Sequence, residues 1–215
     1  MINTILLIVN PVSGGKKSKK ILPNIISDLE SNNFKLEIIE SEFRGHINKI
    51  LQTFNIKDYY CCCIVGGDGS FHEAINGLMI RSDHYKIPLC LIPSGSGNSL
   101  ARDIDILDYK KSIEKIVNGK PLYIDIAQIE CKNQKIYSFN IAGWGMVASI
   151  GEKAEKFRWL GASRYTILSL FEIIFKKTNQ AQITFYDKNN IRHDLDDKFM
   201  FVMISNTVHT GKGMK

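Results

Sequence analysis

The chain has 215 residues, 44% of them hydrophobic and 23% charged, a globular composition that excludes disorder and suits one large domain or two small ones. A net charge of +6 and a pI near 9.0 favour anionic partners without choosing among nucleotides, nucleic acid and acidic lipid. Apolar runs such as Ile5 to Val9 and Cys61 to Val65 fall far short of the roughly 20 residues that a membrane-spanning helix needs.

The first residues, MINTILLIVNP, lack the basic region and small-residue cleavage site of a secretory signal and read as a buried strand entering a turn. The expectation is an intracellular, cytoplasmic protein. Strand-like runs at 4–9, 35–40, 60–65 and 88–92 alternate with helical patterns at 17–31, 45–54, 70–80 and 97–117. That alternation predicts an α/β domain, a parallel sheet flanked by helices. The run Lys16-Lys17-Ser18-Lys19-Lys20 reads as the solvated start of the first helix. Cys61, Cys62 and Cys63 sit in an apolar run with no C-x-x-C pair or His partner. They read as reduced core thiols on alternating faces of a strand.

After Pro121 the texture changes. LYIDIAQIEC and KIYSFNIAG read as a hairpin around Lys132-Asn133-Gln134, and AQITFYD and IRHDL as another around Lys188-Asn189-Asn190, so the second part should be mostly antiparallel. A helical segment over 152–177, broken near Gly161, lies between them. The expected division is an α/β nucleotide-binding domain over 1–120 and a β-rich sandwich domain over 121–215, with a ligand cleft between them.

Three glycine-bearing turns follow strands: Asn10-Pro11-Val12-Ser13-Gly14-Gly15, Gly66-Gly67-Asp68-Gly69 and Pro93-Ser94-Gly95-Ser96-Gly97-Asn98. In a parallel sheet all strand carboxyl ends share one edge, so turns distant in sequence converge there. Glycine lets backbone amides approach a phosphate, and a following helix N-terminus adds partial positive charge. The set suits a polyphosphate. The spelling fits neither a Walker loop nor a dinucleotide fingerprint, because Leu100 stands where the latter needs its third glycine. Asp68 is the informative acid. It can hold Mg²⁺ on nucleotide phosphates or take a proton from an attacking hydroxyl, or it can merely cap the next helix at the Ser70 or Phe71 amide.

With these residues in place, the chain resembles the diacylglycerol kinase catalytic family, which includes bacterial lipid kinases, sphingosine kinases and ceramide kinases. GGDGSFHEAINGLM, NPVSGG and PLCLIPSGSGNSLA carry the resemblance. NAD kinases and phosphofructokinases are similar at GGDG alone, and NAD kinase is the alternative activity, with a non-catalytic nucleotide- or lipid-binding module as a third. The stretch from Gly143-Trp144-Gly145 to Arg164-Tyr165 resembles the long-chain-base and ceramide kinases most.

The resemblance implies ATP with Mg²⁺ and a lipid substrate met by peripheral membrane contact, with no nucleic acid partner. It implies Asp68 as the catalytic and metal-binding acid. Around the nucleotide it implies Asn10, Pro11, Ser13, Gly14, Ser41, Gly66, Gly67, Gly69, Glu73, Ser94, Gly95, Ser96, Gly97 and Asn98, with Arg158 and Arg164 reaching the phosphates. His46 falls at a structural polar position. Ser149 and Gly151 stand where sphingosine kinases carry acids, one of which meets the lipid ammonium, and this weakens a sphingosine assignment. Phe157, Trp159, Tyr165, Leu168, Leu170 and Phe171 form either a lipid mouth or ordinary core. The chain stops at Thr210-Gly211-Lys212-Gly213-Met214-Lys215, where family members continue, so a C-terminal truncation is expected.

Overall fold

The structure is a computed structural model that describes residues 3–131, 134–157, 163–175 and 178–209, with side chains 155, 156, 163–166, 173 and 175 outside the description. The chain divides into two compact units, Met1–Asn140 with Asn206–Lys215, and Ile141–Ser205.

The first unit is built on four parallel strands, β1 (Thr4–Val9), β2 (Lys35–Glu40), β3 (Cys61–Gly66) and β4 (Leu89–Pro93), in the order β2-β1-β3-β4. β1 and β3 are central and buried on both faces, which is why TILLIV and CCCIVG are continuously apolar rather than alternating. β2 is an edge strand and keeps only Leu36 and Ile39 half-buried. The cysteine run divides as strand geometry requires: Cys62 packs with Leu6, Ile8 and Phe71 on one face, and Cys61 and Cys63 with Leu7, Ile25 and Ile113 on the other.

Helices α1 (Lys17–Ser31), α2 (His46–Thr53) and α3 (Asp68–Met79) fall where the periodicity predicts them. α1 buries Ile25 and Leu29 against the sheet. Lys16, Lys17, Lys19 and Lys20 are exposed, whereas Ser18 is buried and its hydroxyl donates to Asn10 O at 2.6 Å. The predicted helix over 97–117 is two helices, α4 (Ser99–Asp103) and α5 (Tyr109–Asn118). The chain breaks there because Asp105 takes a left-handed φ of 55° and Asp108 caps α5 through the Lys110 amide at 3.0 Å.

β5 (Ala127–Cys131) and β6 (Gln134–Ser138) form the first antiparallel hairpin, and β5 begins later than LYIDIAQIEC suggested. The run KIYSFNIAG does not continue as one strand: β6 ends at Ser138, and β7 (Ile141–Gly145) pairs in another sheet. Asn76 of α3 fixes the hairpin, donating to Tyr137 O at 2.8 Å and accepting from Tyr137 N at 2.9 Å. Phe71 and Phe139 meet edge to face beside it, centroids 5.3 Å apart.

The second unit holds β7, α6 (Met146–Lys156), α7 (Ser163–Phe175) and the antiparallel hairpin of β8 (Asn179–Tyr186) with β9 (Arg192–Phe199). Its last strand, β10 (Phe201–Ser205), runs antiparallel to β7. Gly145 turns β7 into α6 at φ +74°, where a Cβ would stand 2.7 Å from Met200 O. The expected helix break near Gly161 lies outside the described residues.

Candidate functional site

Strand order locates the site. The order β2-β1-β3-β4 sends the connection from β1 to one edge of the sheet and that from β3 to the other, and at such a switch point open α/β sheets bind ligands at the strand carboxyl ends. Hydrogen bonds then lace three turns together. The Asn10 side-chain amide donates to Ser70 Oγ at 2.8 Å, joining the turn after β1 to α3. The Ser94 amide donates to Gly66 O at 2.7 Å, joining the turn after β4 to that after β3.

Three glycines are fixed by close backbone approach. A Cβ on Gly14, at φ +56°, would lie 1.8 Å from Ser94 O. A Cβ on Gly67 would lie 2.9 Å from Gly95 Cα, and one on Gly95 2.6 Å from Gly67 Cα. The two turns therefore touch main chain to main chain, which only glycine allows. Gly66, the last residue of β3, is crowded by α3, with a virtual Cβ 2.5 Å from Ser70 Cβ. A Cβ on Gly69 meets nothing within 4 Å.

Asp68 is the first residue of α3, but it does not cap its own helix. The Phe71 amide bonds Gly67 O at 3.1 Å, and Asp68 Oδ2 accepts instead from the Ser99 amide of α4 at 3.1 Å. Asp68 Oδ1 is buried with no partner among the described residues. So are Ser94 Oγ and Asn98 Oδ1, which leaves Ser112 of α5 as the remaining such side-chain atom among the described residues. Leaving a buried polar atom unpaired costs about 1–3 kcal/mol. Three such atoms in one set of turns call for a ligand, ion or water. Their chemistry divides: a carboxylate oxygen and an amide oxygen are hard ligands of the kind Mg²⁺ takes, and a hydroxyl can donate to a phosphate oxygen. The residues therefore fit the chemistry of a metal-nucleotide, although no cluster of three or more His, Cys, Asp or Glu stands ready for a metal among the described residues.

The other sequence-predicted residues divide. Asn98 sits at a left-handed φ of 55° and donates to Gly95 O at 2.9 Å, bracing the third turn. Gly97 O accepts from Arg102 Nε at 3.4 Å. Ser96 is exposed, Pro11 and Ser13 are half-buried, and the Ser13 amide closes the first turn on Asn10 O at 3.2 Å. Ser41 is buried after β2, its amide on Val9 O at 2.8 Å. Glu73 accepts from the Gly45 amide at 2.9 Å, and His46 Nδ1 accepts from the Glu42 amide at 3.1 Å, so both hold the turn before α2. Arg158 and Trp159 lie outside the described residues. Arg164 and Tyr165 are on α7, with side chains outside the description. Leu170 and Phe171 of α7 are exposed, as is Phe157, while Leu168 is half-buried. A concavity of 590 Å³ lined by Lys19, Leu22, Pro23, Ile26 and Glu40 lies over α1 and includes none of the turn residues.

Sequence reasoning missed Ser70, the Ser99 amide and Asn76. The small hydroxyls beside the glycines were a signal for the first two, but their partners are remote in the chain.

Residues 4–129 match the diacylglycerol kinase catalytic domain. The chain belongs to that family. Among curated relatives, sphingosine kinase 1 of Arabidopsis thaliana is 33% identical over 190 residues, covering 84% of this chain and 39% of its own length. Sphingoid long chain base kinase 4 of Schizosaccharomyces pombe is 30% identical over 198 residues, 87% of this chain and 43% of the relative. A crystal structure of a diacylglycerol kinase from Bacillus anthracis superposes with a TM-score of 0.70 at 24% identity, covering 99% of this chain and 69% of that one. The chain thus spans about two-fifths of the curated relatives it matches. No helix among the described residues is long and apolar enough to cross a membrane.

Proposed function

We propose that this diacylglycerol kinase catalytic domain chain is the nucleotide-binding and catalytic part of a lipid kinase, which transfers the γ-phosphoryl group of ATP to a lipid hydroxyl. The observation that carries the reading is the clustering of the orphaned atoms of Asp68, Ser94 and Asn98 among turns whose glycines touch backbone to backbone. Asn10, Gly14, Gly67, Gly95 and Asn98 shape the phosphate cradle. Asp68, held through Oδ2 by the Ser99 amide, presents Oδ1 for the acceptor hydroxyl's proton or for the metal. Mg²⁺, when bound, would neutralise charge on the transferring phosphates. The rest is positioning, which is most of what phosphoryl transfer asks of a protein.

The acceptor is a sphingoid base, ceramide or diacylglycerol. The names of the curated relatives favour the first. Against it stand Ser149 and Gly151, neither of which offers a carboxylate. Glu172 of α7 does reach Ser149 Oγ at 2.8 Å, but the Lys153 ammonium is on the same carboxylate oxygen, which reduces its value to a cationic head group. An apolar stripe on α7, Ile167, Leu170, Phe171 and Ile174, is exposed at helical spacing and supports peripheral contact with a lipid surface.

The test is radiolabelled ATP offered with vesicles that carry each lipid in turn. Labelled lipid is expected, and Asp68→Asn should lower turnover by about 10² or more while the fold is kept. A variant that retains half the activity overturns the role given to Asp68. NAD is offered in a parallel reaction, and label appearing on NAD and on no lipid overturns the lipid-kinase reading.

A further inference from the structure

The chain returns to the first unit after β10, and the four residues Asn206 to His209 are tied down at both ends. The Asn206 amide donates to Asn140 O at 2.8 Å, and its side-chain amide to Asp125 O at 2.6 Å and Phe139 O at 3.2 Å. At the other end Asp103, the last residue of α4, accepts the Val208 amide at 2.8 Å on one oxygen. On its other oxygen it accepts the His209 amide at 3.1 Å, and the His209 ring Nδ1 contacts that same oxygen. Burial pushes the Asp103 carboxyl up, but these bonds outweigh it and hold the group below its usual value.

An acid at a helix C-terminus faces the negative end of the dipole, so Asp103 does not serve α4 as a helix. A helix of five residues also does not hold itself and depends on what grips it. The grips are known at both ends. Ser99, the first residue, meets Asp68 through its amide, and Asp103, the last, meets 208 and 209. Between them the Arg102 amide bonds Asn98 O at 3.1 Å, closing the first turn of α4 on its cap residue.

We infer that Asp103 is a positioning residue: its clasp on Val208 and His209 seats α4 so that the Ser99 amide meets Asp68. The inference rests on the reading of Asp68 as the reacting carboxylate, but the clasp itself can be observed without turnover.

The experiment measures amide hydrogen exchange in the full chain, with kinetics in parallel, for Asp103→Ala, His209→Ala and His209→Asn. The Asn side-chain amide can donate in place of Nδ1. Asp103→Ala should speed exchange at Ser99 about tenfold or more while Leu7 and Ile64, in β1 and β3, keep their protection. In turnover, kcat should fall about tenfold with KM for ATP within about threefold, because a misoriented Asp68 harms the reacting geometry more than the cradle. His209→Ala should give a smaller change of the same kind, and His209→Asn should restore it.

Unchanged Ser99 exchange with Val208 and His209 released overturns the clasp. Should Asp103→Ala also lose protection in β1 and β3, the two His209 variants decide, and equal Ser99 exchange in both overturns it. Absence of turnover in the unaltered chain counts against the kinase reading, and the exchange measurement then stands alone for the clasp.

Discussion

Gly95→Ala and Gly69→Ala separate a glycine that builds the turns from one with open space beside it. A methyl on Gly95 would sit 2.6 Å from Gly67 Cα and 2.8 Å from Asn98 Oδ1, whereas carbon contacts settle at about 3.5–4.0 Å, so the two turns must part by about 1 Å. Overpacking of this kind costs about 1–3 kcal/mol. In a chain of this size that lowers the melting temperature by about 2–4 °C per kcal/mol. A 1 Å displacement of the cradle should also weaken catalysis by up to about 10². Gly69 is different: it lies in the first turn of α3, without positive φ, and a methyl there meets no atom within 4 Å. By helix propensity alone Gly69→Ala should stabilise the fold by up to about 1 kcal/mol. If that side of the turn faces phosphate, the same methyl should weaken nucleotide binding about tenfold, or 1.4 kcal/mol. Thermal melting and calorimetric titration with a non-hydrolysable ATP analogue read both quantities. Gly69→Ala that melts higher and binds as the unaltered chain does refutes phosphate at this turn. Gly95→Ala that is neutral in both refutes the steric argument.

Burial holds His72 below its usual value against a smaller opposing effect of Glu73. The unfolded chain therefore takes up the proton first as pH falls through about 6.5, and the stability His72 contributes above that pH is lost below it. His72→Gln should flatten the fall in urea midpoint between pH 7.5 and 5, and equal slopes would refute this. Burial raises the Cys62 thiol, and hydrogen bonding with Cys61 leads the causes that raise Cys63, whereas Cys131 is exposed. A thiol reagent should label Cys131 first and reach Cys62 and Cys63 only on unfolding; early labelling of β3 would contradict the buried strand. A Cβ on Gly151 meets nothing within 4 Å, so Gly151→Asp should be tolerated and should raise turnover of sphingosine over ceramide about tenfold through a charge-assisted hydrogen bond. An equal change for both lipids would refute a head-group role for that position.

The legible part of this chain is what local pattern dictates. Four strands and the first three helices follow from runs such as ILLIV and CCCIV and from glycine punctuation, and a parallel sheet puts the glycine turns at one edge. The illegible part is pairing. Nothing near Asp68 in sequence announces that its carboxylate turns from its own helix to the Ser99 amide, because that bond spans 31 residues and its donor is backbone. The helix predicted over 97–117 failed for a related reason: Asp105 at positive φ breaks it, and an aspartate there looks like any solvated helix residue.

The same distinction explains why α4 is short. α4 ends at Asp103, whose two oxygens take the amides of Val208 and His209. The break at 104–108 ends α4 at the acid that the returning chain needs, and the start of α4 sets the amide that Asp68 needs. Five residues thus carry one constraint at each end, 105 and 31 positions away in sequence. Only the glycine turn preceding them was visible as a motif. A site of this kind is read from sequence through its glycines, and its rigidity is read only from the hydrogen bonds that close it.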